Sequence, residues 1–164
     1  MVDSRITGFI AKNAKLKKLL HILLIGNNPI ELGGLLAKIS RGWGESVKFE
    51  IAFDAKTAFE RLLHFCPHYI LIDDNLGKNQ MSETVQAFST HPKTKNIPIT
   101  VLKNSNYHEA NGAWNVLDYI LKKNLTPESL YVGIQNSTKL RRTQRYLQRV
   151  YKRRKRLLQG LFGL

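Results

Sequence analysis

A single cysteine, Cys66, in 164 residues excludes an internal disulfide and fits a reducing compartment such as the cytoplasm. Long apolar runs are also missing: nothing approaches the roughly 20 residues of a membrane span. The best candidate for a signal segment, residues 15–26, is short, contains His21 and runs into Asn27-Asn28-Pro29 without a small-residue cleavage site, so it reads as a buried strand. Glycine-rich phosphate loops, dinucleotide fingerprints and the G-x-S-x-G elbow do not occur, which leaves nucleotide hydrolysis, dinucleotide binding and acyl transfer without support. No repeat or low-complexity linker points to a second globular domain. Acid is lacking from one region: residues 131–164 hold ten basic groups and no Asp or Glu. Residues 1–20 hold five basic groups against one acid, whereas residues 21–130 hold eleven of each. The formal charge of +14 therefore describes the two ends and not the domain between them.

What is present is an alternation of strands and helices. Tyr69, Ile70, Leu71 and Ile72 form a short run apolar on both faces, entered through Pro67 and left through Asp73, Asp74, Asn75 and Gly77, as a central parallel strand requires. Further strands are expected at 21–25, 47–53, 97–102 and 118–121. Helices are expected from Pro29 with Leu32, Leu35, Leu36 and Ile39 inward, from an Asp54 cap to about Phe65 with Phe59, Leu62 and Leu63 inward, around 82–89, and from Pro127. Residues 1–20 show a weak amphipathic pattern, a basic arm or short helix. The segment 103–117 is irregular apart from a candidate anchor, Trp114. Five strands alternating with helices predict a doubly wound parallel sheet, in which chemistry sits beyond the carboxyl ends of the strands, where Asp73 stands.

The final helix does not stop with the domain. No glycine or proline interrupts residues 135–159, and Leu140, Leu147, Val150, Leu157 and Leu161 recur at heptad-like spacing with Thr143 and Arg154 on the same seam. Gly160 and Gly163 are expected to end or fray it near L-F-G-L (161–164). The chain thus divides into an arm (1–20), a domain (21–135) and a basic helical extension (136–164).

Three local patterns resemble the receiver domain of two-component response regulators. Pro67 to Asp73 is similar to that family's P-x-h-h-h-h-D strand, H-P-K-T-K-N-I-P-I (91–99) to its connection into the fourth strand, and D-Y-I-L-K (118–122) to its D-Y-L-x-K signature. The resemblance implies a flavodoxin-like five-stranded fold over roughly 21–135, a phosphoacceptor position at Asp73, a switch aromatic at Tyr119 and a phosphate-binding lysine at Lys122. Departures matter as much. Where the family has two acids that help hold Mg²⁺, this sequence has Gly26 and Asn27, and its hydroxyl residue after the fourth strand is replaced by Lys103. The expectation is an atypical receiver in which Lys103 and Lys122 pair with Asp73 in place of a metal, while Asp74, next to it on a strand, points away. No cofactor is implied, Mg²⁺ entering only if Asp73 is a working phosphoreceiver.

Two other constellations remain. His64, Cys66 and His68 have the look of metal ligands, but Pro67 interrupts them and Cys66 reads as a buried packing residue. In the tail, Arg141, Arg142, Arg145, Arg149, Lys152, Arg153, Arg154, Lys155 and Arg156 leave several readings open: a solvated helix end that needs no partner, an interaction helix for protein association or homodimerisation, a nucleic-acid contact through phosphates, and, last in rank, a membrane-surface helix. The functional expectation is a signalling protein that acts by binding to a protein partner, a histidine kinase or an output protein, and not by turnover. The alternatives are a working phosphoreceiver on Asp73 and a nucleic-acid-binding protein.

Overall fold

The computed structural model describes residues 19–104 and 118–162. The expected N-terminal arm and the Trp114 anchor lie outside the described residues. Five parallel strands, β1 (Leu20–Ile25), β2 (Val47–Ala52), β3 (Tyr69–Asp73), β4 (Ile99–Lys103) and β5 (Asp118–Leu121), form one sheet in the order β2-β1-β3-β4-β5. The crossovers carry α1 (Pro29–Trp43), α2 (Ala55–Arg61) and α3 (Lys78–Thr90), and α4 (Pro127–Phe162) follows β5.

Side chains two apart on a strand share a face, and this periodicity sorts the core into two clusters. Ile70 and Ile72 of β3 pack with Leu23, Ile25, Val101, Ala58 and Phe88 beneath α2 and α3. Tyr69 and Leu71 pack on the other face with Ile22, Leu24, Leu102 and the inner residues of α1 and α4, Leu32, Ile39, Leu130 and Ile134. All five residues of β3 are buried, as a central strand covered on both sides must be. Asp73 belongs by its position to the face covered by α1 and α4.

Local chemistry sets the boundaries. Asp54 caps α2 by accepting the Thr57 amide at 2.7 Å, in a capping box that Thr57 closes through its hydroxyl. That helix stops at Arg61, short of the expected Phe65, so Leu62 is buried while Leu63 is turned out to solvent. β4 begins at Ile99 and not Ile97, because Pro98 has no amide for the ladder and contributes only its carbonyl, which accepts from Ile70 N. Gly77, at φ 79°, lets α3 start four residues earlier than its apolar pattern suggested.

α4 runs without a break through Gly160 to Phe162, into the L-F-G-L stretch where its end is expected. Its 36 residues measure about 54 Å at 1.5 Å per residue. Its base is docked by three contacts. Trp43 Nε1 donates to Pro127 O at 3.1 Å, the Trp43 ring meets Tyr131 edge-on, and the buried Tyr69 hydroxyl donates to Ser137 Oγ at 3.2 Å while bonding Thr100. From Arg142 to Gly160 nearly every residue is exposed. Among the described residues no helix is long and apolar enough to cross a membrane.

Candidate functional site

The carboxyl ends of β3 and β5 and the first turn of α1 meet at one ammonium group. Lys122 follows β5 in a short 3-10 turn, two residues beyond Ile120 and so on the face shared by Leu102 and Asp73. Its Nζ lies 2.6 Å from Asp73 Oδ1, 2.8 Å from Glu31 Oε1 and 3.3 Å from Asp74 Oδ1. The Lys122 side chain is 7% exposed and that of Asp73 0%. Burial by itself lowers the lysine pKa, but hydrogen bonds to Asp73 and Glu31 and the charges of Asp73 and Asp74 outweigh it, so the ammonium is held above the ordinary lysine value.

A shell of asparagines fixes these carboxylates. Asn75 N donates to Asp73 Oδ1 at 2.8 Å, and Asn75 Nδ2 donates to Glu31 Oε2. Asn27 Nδ2 donates to Asn75 O at 2.9 Å. Asn104 N donates to Asp74 Oδ2 at 2.8 Å, and its side-chain amide donates to Asn75 Oδ1 at 2.7 Å. Among the described residues, no group donates a hydrogen bond to the buried Asp73 Oδ2, and Asp74 Oδ1 has only its ion pair with Lys122. Gly26 closes the site from the β1 side: a Cβ there would stand 2.7 Å from Asp73 Cβ and 3.0 Å from Leu32 Cδ2.

The structure brings Asp73 and Lys122 together, as expected, and corrects three other expectations. Lys103 is not on Asp73. The register pairs Asp73 with Leu102, so Lys103, one residue further, turns to the opposite face, and its Nζ lies over the Tyr119 ring, 4.4 Å from the centroid. Tyr119 itself, the expected switch aromatic, is 45% exposed. Asp74 does not point away, because the strand ends at Asp73 and the chain enters a 3-10 turn that rotates Asp74 back toward Lys122. Nor is the site stripped of acid: Glu31, in the first turn of α1, was missed, and only its position near the start of the helix after β1 marked it.

The resemblance to receiver domains implies Mg²⁺, and the donors can be tested against it. Mg²⁺ prefers an octahedron built from one or two carboxylates and waters. Glu31, Asp73 and Asp74 converge on a protonated amine instead, Asn27 is turned onto a carbonyl, and Gly26 leaves no room for an added carboxylate. Asp73 Oδ2 belongs to the carboxylate that Lys122 pairs with, and Asp74 Oδ1 is itself ion-paired with Lys122, so the set fits a divalent cation poorly.

His64 and Cys66 are exposed, the latter against expectation, and they do not converge with His68. Instead His21 Nδ1 donates to Cys66 O at 3.1 Å and His21 N to His68 Nδ1 at 3.1 Å, which ties the start of β1 to the α2–β3 turn. Among the described residues no group of three His, Cys, Asp or Glu side chains is placed to hold a metal ion.

No protein-family model matches the sequence, and no curated protein does. Solved structures do match. A sensor protein from Polaromonas sp. JS666 superimposes with TM-score 0.63 at 16% identity, covering 76% of this chain and 99% of the other. The receiver domain of a sensor histidine kinase from Pseudomonas aeruginosa PAO1, determined with magnesium in its active-site cleft, gives 0.60 at 18% identity over 74% and 99%. The N-terminal domain of a response regulator receiver protein from Methanoculleus marisnigri JR1 gives 0.53 at 28% identity over 73% and 96%. The chain has the fold of response-regulator receiver domains, a five-stranded parallel sheet wound with helices, and adds to it a long C-terminal helix.

Proposed function

We propose that this protein is a signal-transduction receiver that works by binding and not by turnover, with Asp73 kept in one ion-paired state instead of being switched by conventional Mg²⁺-dependent phosphorylation. One observation carries the reading: the Lys122 ammonium is shared by Asp73, Glu31 and Asp74 at 2.6 to 3.3 Å. A buried carboxylate paired in this way is costly to uncouple, on the order of 3 kcal/mol or more for removing one partner. The protein partner, a histidine kinase or an output protein, meets surfaces whose conformation this cluster fixes, and the extended basic helix is the part of the chain free to carry association.

A second reading, a phosphoreceiver on Asp73, is favoured by Asp73 Oδ2, which no described residue hydrogen-bonds, and by three carboxylates facing one ammonium. Magnesium titration followed by the amide resonances of residues 73–76 separates the two. The first reading predicts no saturable shift through millimolar Mg²⁺, and a saturable shift abolished by Asp73→Asn supports the second.

A further inference from the structure

We infer that one face of α4 is a binding surface for duplex nucleic acid, contacted through its phosphates. At about 100° per residue, Arg141, Arg145, Arg149, Lys152 and Arg156 fall within an arc of about 80° and are spaced about 4.5 to 6 Å along the axis. Arg142 and Arg153 flank the arc on one side. Four of the five are exposed, and Arg141 at the base is half-buried with its Nε unpartnered. No acid lies between Glu128 and the end of the chain to offset them.

Such a row is unfavourable for an isolated helix, since like charges four residues apart repel one another. Burial and the neighbouring Arg145 both hold the Arg141 guanidinium below its ordinary pKa. A linear polyanion removes this repulsion along its whole length, about 22 Å from Arg141 to Arg156. The row is mostly arginine, whose planar fork matches phosphate oxygens. An α-helix of about 10–12 Å diameter also fits a major groove about 12 Å wide.

The rest of the helix argues against the other polyanionic surfaces. Between Thr138 and Gln159 the arc holds only Thr138 and Gln159 besides cations, so it offers no aromatic or aliphatic anchor of the kind that centres a protein interface. Leu140, Leu147 and Leu158, with Tyr151 beside them, occupy the opposite side and are exposed. A helix lying on a membrane with those leucines inserted would aim its main row of cations at water.

The test is fluorescence anisotropy of a labelled 20-base-pair duplex with the full chain over a salt series. Binding should persist at about 0.15 M salt and weaken on the log–log plot with a slope of about −4.5, as five phosphate contacts require. Arg145→Gln/Arg149→Gln/Arg156→Gln, which keeps helix-compatible side chains, should lose at least tenfold in affinity and flatten the slope while its helical circular dichroism is unchanged. Leu147→Ser/Leu158→Ser should bind as wild type. The inference is overturned by duplex binding only at low salt, by wild-type affinity in the glutamine variant, by equal affinity for polyglutamate, or by tighter binding to phosphatidylcholine–phosphatidylserine vesicles. None of these outcomes bears on the Asp73 reading, which the magnesium titration tests separately.

Discussion

Gly26 and Asp73 approach so closely across the β1–β3 seam that a methyl group on the glycine would stand 2.7 Å from the aspartate's Cβ. The contact falls where the β1–β3 register, which pairs Ile25 with Ile72, runs on by one residue. It holds the Asp73 carboxylate under α1, where Glu31 and Lys122 complete the cluster.

Gly26→Ala therefore overpacks a seam made of strand backbone and a fixed Cβ, neither of which gives way easily. Loss of about 2 kcal/mol is expected from the urea midpoint at unchanged m-value. Gly33→Ala, where an added Cβ meets nothing within 4 Å, is the control and should be neutral or slightly stabilising.

Removing the ammonium leaves three carboxylates facing one another. Lys122→Met should cost about 3 kcal/mol, and adding Asp73→Asn should recover part of that loss because the buried charge is then gone. Both are read from denaturant curves. A single-mutant cost below about 1 kcal/mol would mean that the cluster contributes little to the fold.

The fold was legible in the sequence to within a few residues at most strand ends, because β3 is apolar on both faces and the other strands carry the same turn punctuation. The site was legible only in part. Asp73 and Lys122 sit at strand ends and could be read from local patterns, whereas Glu31 and Lys122 are 91 residues apart and meet only because α1 crosses over the face that Asp73 occupies. Asp74 and Lys103 were misplaced for two different reasons. Strand alternation was carried past the end of β3, where a 3-10 turn replaces it, and the β3–β4 register that turns Lys103 away cannot be seen in either strand alone. The exposure of Cys66 was missed because the early end of α2 carried no sequence signal.

The raised pKa of Lys122 fixes the sign of a pH dependence. The folded state binds its proton more tightly than the unfolded chain, so the stabilisation is complete below the unfolded pKa, about 10.4, and is lost as pH rises through the higher folded value. Urea midpoints between pH 8 and 11 should fall more steeply for wild type than for Lys122→Met, the difference isolating this group from the other lysines. Parallel curves would show that the carboxylates do not hold the proton.

The central claim, that Asp73 is held by Lys122 instead of being available for Mg²⁺-dependent phosphoryl transfer, is tested most directly by intact mass. The protein and its Asp73→Asn variant are incubated with a small-molecule phosphodonor, with and without Mg²⁺. The account predicts no gain of a phosphoryl group in any of the four samples. A Mg²⁺-dependent gain of one phosphoryl in wild type that vanishes in Asp73→Asn would contradict it.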